Sequence, residues 1–194
     1  MTSQNVSDRN VSNQDVSSPD QGGQGADDGV PGDEVDRIVA AWRRERPDLD
    51  VEPLEVLSRV TRIARHLDRD RSAAFSGHGL ETWEFDVLAA LRRSGPPYEL
   101  SPGQLVSQTL VTSGTMTNRI DRLEARSLVA RRPDPDDGRG VLVRLTPDGR
   151  TLVDTALAAL LERERALLAG LDGASRAALA QLLRRLAIRF DTAG

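Results

Sequence analysis

Beyond residue 33, apolar residues recur at three- and four-residue spacing, and the recurrence breaks wherever Gly or Pro interrupts it. A first helix is predicted from Asp33, with Val35, Ile38, Val39 and Trp42 on one stripe and Pro47 marking its end. A second runs from about Pro53 to Phe75, with Leu54, Leu57, Val60, Ile63, Ala64 and Leu67 as its buried side. Gly77 and Gly79 break the chain before a third helix, about Glu81 to Arg93. Leu80, Trp83, Val87, Leu88 and Leu91 form its apolar side, and Ser94-Gly95-Pro96-Pro97 stops it. Near the C-terminus, Pro147 opens a long helix to about Ala169. Gly170 and Gly173 separate it from a last one, about Ala174 to Phe190, in which Leu182, Leu183, Leu186 and Phe190 face one way. These terminal stripes are wider than one small domain needs and imply a partner surface. A self-contained helical core is the alternative, and sizing the protein in solution decides between them.

The middle of the chain changes character. Ser101 suits an N-cap and Pro102 a first helical position, opening a short helix to about Thr109. After a tight turn, Thr112 or Ser113 caps another helix. Met116, Ile120 and Leu123 form its buried stripe, while Thr115, Thr117, Asn118, Arg119 and Arg122 occupy its other faces. A short helix that is apolar on one side and rich in hydroxyl, amide and guanidinium groups on the other has the chemistry of one that enters a DNA major groove. Two strand candidates follow, Leu128 to Arg132 and Val141 to Leu145, joined by the turn-rich loop PDPDDGRG with Arg139 at its tip. Together they predict a hairpin beside the helix pair, and Tyr98 to Leu100 is a candidate third strand. An Arg on such a loop suits the minor groove, where the negative potential is strongest.

Composition narrows the function classes. The chain has 194 residues, enough for one sizeable domain, and a net charge of −4. The charge is uneven: Asp8, Asp15, Asp20, Asp27, Asp28, Asp33, Glu34 and Asp36 face only Arg9 in the N-terminal stretch, leaving the remainder mildly basic. Local field rather than net charge governs DNA binding, so the balance is compatible with it. Residues 1–32 are Ser-, Asn-, Gln-, Asp- and Gly-rich, with Val6, Val11 and Val16 at a period fitting neither helix nor strand, and are read as a disordered acidic tail. Cysteine is absent, which excludes disulfides and thiolate metal sites, and with only His66 and His78 no metal or cofactor is expected. There is no phosphate-cradling Gly loop and no serine motif with His support, and Asp136 and Asp137 read as turn formers, so an enzyme is not expected. Neither a membrane-spanning stretch nor a signal region is seen, and a cytoplasmic location is expected.

The run T-M-T-N-R-I-D-R-L-E-A-R-S-L-V-A-R-R followed by D-D-G-R-G-V-L-V-R-L-T-P-D-G-R resembles the MarR family of winged helix-turn-helix transcription regulators. The Asp-x-Arg of that family's wing is matched by Asp137, Gly138 and Arg139, and its closing Leu-Thr-x-x-Gly by Leu145, Thr146 and Gly149. The resemblance extends from about Val35 to Asp191. It implies a mainly α fold with a small β wing and a dimer formed by N- and C-terminal helices. On this reading 33–194 is one MarR-type domain, with 33–76 and 147–194 dimerising and 80–146 binding DNA. The expected partner is double-stranded DNA, a palindromic operator with half-sites about one helical turn apart. Ser113, Thr115, Thr117, Asn118, Arg119 and Arg122 are assigned to DNA on the second helix, some reaching only phosphates. Ser101 and Gln104 are assigned to the backbone, and Arg139 to the minor groove.

The urate-responsive branch of the family carries an additional N-terminal helix. Its ligand site uses a Trp on that helix, an Asp on the helix before the DNA-binding pair and two Arg around the recognition helix. Trp42, Asp86, Arg119 and Arg131 match those positions here. The resemblance implies a repressor released by a small anionic aromatic ligand, urate or a related purine. Guanidinium forks from Arg119 and Arg131 and an aromatic wall from Trp42 suit such a ligand; Asp86 either holds an Arg or repels the ligand's negative edge. Taken singly, each of the four has a plainer reading as core, ion pair or phosphate contact. Two rival readings stand: a MarR-type regulator sensing a lipophilic phenolic or antibiotic ligand, and a winged-helix adaptor that binds protein rather than DNA.

Overall fold

A computed structural model describes residues 31–135, 137 and 140–191. The chain divides into two compact units, Met1–Glu52 and Pro53–Gly194. The expected disordered tail lies almost wholly outside the described residues.

In the first unit, α1 spans Glu34–Glu45. Asp33 is its N-cap, accepting from the Val35 and Asp36 amides at 2.7 and 3.0 Å, and Asp36 reciprocates by accepting from the Asp33 amide at 2.7 Å. The helix ends ahead of Pro47, where Arg46 grips Asp48 through two hydrogen bonds of 2.8 and 2.7 Å. Val35 and Val39 of the predicted stripe are buried, whereas Ile38 and Trp42 are exposed.

The second unit is organised around α3 (Thr82–Arg93), whose Val87, Leu88, Ala90 and Leu91 are fully buried. The 25-residue α2 (Glu52–Ser76) leads into it, and Phe75 at its end stacks on Phe85 with ring centroids 4.0 Å apart. Against α3 pack α4 (Pro102–Thr109), through Leu105, and α6 (Pro147–Leu167), through Val153, Ala156 and Leu160. Met116, Ile120 and Leu123 of α5 (Ser113–Ala125) complete the same core. Strands β1 (Glu99–Leu100), β2 (Val129–Pro133) and β3 (Val141–Leu145) form an antiparallel sheet in the order β1-β3-β2, with Leu100 opposite Val143 and Arg131 opposite Val143 on the other side. The predicted third strand therefore exists and closes the wing. Val143 and Leu145 point into the core and alternate with exposed Arg144.

One expectation needs correction. The apolar side predicted to be buried on α2 is largely exposed: Leu57, Val60, Ile63 and Ala64 face outward and only Leu54 and Leu67 are half-buried. Periodicity marks an apolar face but not what covers it. The last helix, α7 (Gly173–Asp191), goes further, because residues 173–190 are all exposed, Leu182, Leu183, Leu186 and Phe190 included. Trp83, expected on the apolar side of α3, is half-buried, packed against the core with one face left to the Arg119 and Arg122 guanidiniums.

One polar element holds the helices in register. Glu84 is buried, and Nη1 of Arg126, just past α5, donates to both its carboxylate oxygens at 2.7 Å; Nη2 donates to the Gly79 carbonyl at 3.0 Å. The start of α3 and the end of α5 are thereby clamped together. Arg126→Ala leaves a covered carboxylate without its cation and is expected to cost about 2 kcal/mol, below the figure for fully buried pairs because Arg126 is itself partly exposed. A urea titration measures it, and an unchanged midpoint would show that Glu84 finds water instead.

Candidate nucleic-acid interface

The geometry begins with two capped helices. Ser101 caps α4, its Oγ accepting from the Gln104 amide at 3.2 Å while Gln104 Oε1 accepts from the Ser101 amide at 2.8 Å. These two side chains, assigned to the DNA backbone, are thus engaged with each other, although Gln104 remains exposed. The turn to α5 passes through Leu110 in the left-handed region, φ 53°, a residue 91% exposed. Thr112, rather than Ser113, is the cap of α5, and its hydroxyl lies 2.9 Å from that of Thr115.

Helical geometry then sorts α5 into faces. With Met116, Ile120 and Leu123 inward, Ser113, Thr115, Thr117, Asn118 and Arg122 are all exposed. The Thr117 hydroxyl turns back to donate to the Ser113 carbonyl at 3.2 Å. Thr115, Asn118, Arg119 and Arg122 come together with Gly114 and Trp83 around an open notch of about 480 Å³. The Arg119 and Arg122 guanidinium carbons lie 5.3 and 4.7 Å from the Trp83 ring centroid. Glu81 adds an acid there: its carboxylate accepts from Trp83 Nε1 at 2.7 Å and from Arg122 Nη2 at 2.6 Å. Those two hydrogen bonds, the indole's first, hold the Glu81 carboxyl below the usual carboxylate range.

The residues matched to a ligand site have separate neighbours. Asp86 accepts from Arg71 of α2 at 3.3 Å. Arg119 rests over Trp83. Arg131, on β2, is an ion-pair partner of both Asp121 and Glu124 on α5, and its amide donates to Glu124 at 3.0 Å. Trp42 is about half exposed on α1, in the other unit. Arg139 lies outside the described residues. Below it the loop closes through Asp134 N to Gly140 O at 2.9 Å and Gly140 N to Asp137 O at 2.8 Å.

Sequence reasoning missed Glu81, Glu84, Glu99 and Arg126. Glu99 on β1 is almost wholly covered and pairs with Arg132 on β2 and Arg144 on β3, across all three strands. The Arg132 hydrogen bond, with the smaller contribution of Arg144, holds its carboxyl below the ordinary range despite burial. A depressed folded-state value means that this stabilisation is complete above the unfolded carboxylate value, about 4.3, and is lost as pH falls through the folded one. Acidification below about pH 4.3 is therefore expected to loosen the wing of the parent, and Glu99→Gln to flatten that part of the stability–pH curve. Parallel curves for the two proteins would remove Glu99 from the account.

With this geometry in view, the comparisons decide the family. The sequence profile of the MarR family matches residues 78–140. The chain is 40% identical over 153 residues to the HTH-type transcriptional regulator PecS of Dickeya dadantii, covering 79% of this chain and 92% of that one. The chain belongs to the MarR family. It is a DNA-binding transcription regulator and not an enzyme. The HTH-type transcriptional repressor NicR of Pseudomonas putida is 31% identical, with 75% of this chain and 93% of that one covered. Among solved structures, a mutant MarR from E. coli complexed with operator DNA superposes with a TM-score of 0.59 at 26% identity, covering 71% of this chain and 99% of that one. BpsR of Bordetella bronchiseptica, whose DNA binding is regulated by 6-hydroxynicotinic acid, gives 0.52 at 34% identity, with 66% and 98% covered. For this MarR-family chain, α4, α5 and the β2–β3 hairpin are the winged helix-turn-helix, and no helix among the described residues is long and apolar enough to cross a membrane.

Proposed function

We propose that this MarR-family protein is a cytoplasmic, sequence-specific homodimeric repressor that a small anionic aromatic ligand, urate or a related purine, releases from a palindromic operator. The observation that carries the DNA reading is the outward face of α5, where Ser113, Thr115, Thr117, Asn118 and Arg122 are exposed on a helix whose apolar stripe is fully buried. A hydroxyl-, amide- and guanidinium-bearing face on a rigid helix suits base edges and phosphates together. An adaptor surface would be apolar there. Arg139 at the wing tip is assigned to the minor groove on the sequence pattern, and its loss is expected to weaken binding by about 1–3 kcal/mol.

The dimer reading is supported by the apolar residues left exposed on α2, α6 and α7, among them Leu57, Ile63, Leu161, Leu182 and Phe190. Support for the ligand reading comes from Asp86, Arg119 and Arg131 standing on α3, α5 and β2; the part of Trp42 rests on the sequence resemblance. Arg131 ties the wing to α5 through Asp121 and Glu124. An anion that draws Arg131 from those carboxylates, or Arg119 from Trp83, acts directly on the groove-facing helix, so ligand and DNA bias one element. BpsR, with its planar heteroaromatic acid, is a relative whose regulator has the proposed ligand chemistry. The pairing of Arg131 with two carboxylates also favours a second reading, a regulator that senses a neutral phenolic ligand and leaves these ion pairs intact.

A mobility shift on the DNA upstream of its own gene, titrated with urate, related purines, 6-hydroxynicotinate and a neutral phenol, tests these readings. Release by the anions, blunted in Trp42→Phe and Arg119→Ala, is expected. Release by the phenol alone would transfer the function to the second reading, and no shifted band at all would remove the operator.

A further inference from the structure

We infer that Glu81 and Trp83 are specificity-determining positioning residues, which set the plane of the Arg122 guanidinium before DNA arrives. The inference rests on the reading of α5 as the groove-entering helix. A guanidinium discriminates guanine only when its plane and two of its donors are aligned with the base edge, and an exposed arginine otherwise loses rotamer freedom to reach that state. Arg122 is held from two sides. One Glu81 oxygen accepts from its Nη2 at 2.6 Å, and the Trp83 ring lies 4.7 Å beneath its guanidinium carbon. This uses one of the five donors, and the guanidinium makes no other hydrogen bond among the described residues, so its remaining edge is available to a base.

The holding groups are themselves fixed. The second Glu81 oxygen accepts from the Trp83 indole N–H at 2.7 Å. The Glu81 amide donates to buried Glu84 at 2.9 Å, and Glu84 is clamped by Arg126. An isolated surface ion pair contributes little because both side chains wander. Here the acid is tethered at its backbone and at its far oxygen, to elements packed in the core. The arrangement is a preorganised donor set of the kind that precise recognition needs. Arg119, over the same ring at 5.3 Å, is kept on the flank rather than the outer face.

The test uses an operator selected from a random-sequence DNA pool by the full-length parent protein, together with a scrambled duplex of equal length. Glu81→Ala is expected to weaken operator binding about tenfold, the loss of one well-placed base contact, while scrambled-DNA binding is unchanged or slightly tighter for want of a negative charge. Glu81→Gln, which retains an acceptor, recovers part of the loss; Trp83→Phe, which keeps the ring but frees Glu81, falls between. Adding Glu81→Ala to Arg122→Ala produces no further loss of selectivity, because the acid acts through that arginine. Equal changes on both duplexes, tighter operator binding, or additive losses in the double variant would each overturn the inference. Should the parent select no sequence at all, the groove reading itself fails, a result separate from any obtained with the variants.

Discussion

Gly149→Ala is expected to destabilise the protein by about 3 kcal/mol, at the upper end of what overpacking costs, and Gly149→Val by more. Gly149 sits in the first turn of α6, where that helix crosses the chain entering β2. A Cβ there would lie 2.1 Å from the Leu128 carbonyl oxygen and 3.0 Å from its carbon. The obstacle is backbone, so no side-chain rotation relieves it. That carbonyl is also the hub of the junction: it accepts from the Thr146 amide at 3.1 Å and from the Thr146 hydroxyl at 3.0 Å, and the same hydroxyl accepts from the Gly149 amide at 3.0 Å. Pushing α6 away breaks the cap and the strand entry together. The expected fall in melting temperature is about 10 °C for a chain of this size. Gly170, where an added Cβ would meet nothing within 4 Å, supplies the control, and Gly170→Ala should stay within about 0.5 kcal/mol of the parent. Equal melting temperatures for the Gly149 and Gly170 variants would show that the crossing yields readily.

The Leu-Thr-x-x-Gly pattern was legible through its resemblance to the family's closing motif, and the same junction shows what its residues do. Leu145 fills the core, Thr146 caps α6, and Gly149 admits the Leu128 carbonyl from a distant part of the chain. Caps and stripes elsewhere were legible because they are local. Ser101, Pro102, Pro147 and the Met116-Ile120-Leu123 stripe act within one turn or one helix face, and short-range rules reach them, whereas the reciprocal cap from Gln104 was not read. The site was less legible because its chemistry is non-local. Glu81 and Arg122 are 41 positions apart, Glu84 and Arg126 42, Glu99 and Arg132 33, and no period links them. A Glu-x-x-Glu at the start of α3 was the one available sign, and it reported half of a capping box rather than an ion-pair clamp. Arg131 likewise read as a fork open to a ligand, because its carboxylates stand on a neighbouring helix and not on its own strand.

Leu182→Asp combined with Leu186→Asp is expected to convert the protein to a monomer and to weaken operator binding at least a hundredfold, about 3 kcal/mol. The 19-residue α7 has Leu179, Leu182, Leu183, Leu186 and Phe190 40–81% exposed, at spacings that place them on one side. A helix in water gains little from propensity alone and is held chiefly by packing of its apolar face. Among the described residues nothing buries that face, so a second copy is the cover we propose, and the exposed leucines of α6 and the exposed stripe of α2 offer it further apolar area. Because the two leucines are exposed in the protomer, changing them removes no intrachain core. The variant should therefore keep the parent's buried α3 core while losing helicity from α7 and half its phosphate contacts per bound unit. Sedimentation gives the oligomeric state, circular dichroism the helicity and mobility shifts the affinity. A variant that stays dimeric and binds the operator like the parent would place the contact between protomers elsewhere and leave the exposed leucines of α7 without a role in DNA binding.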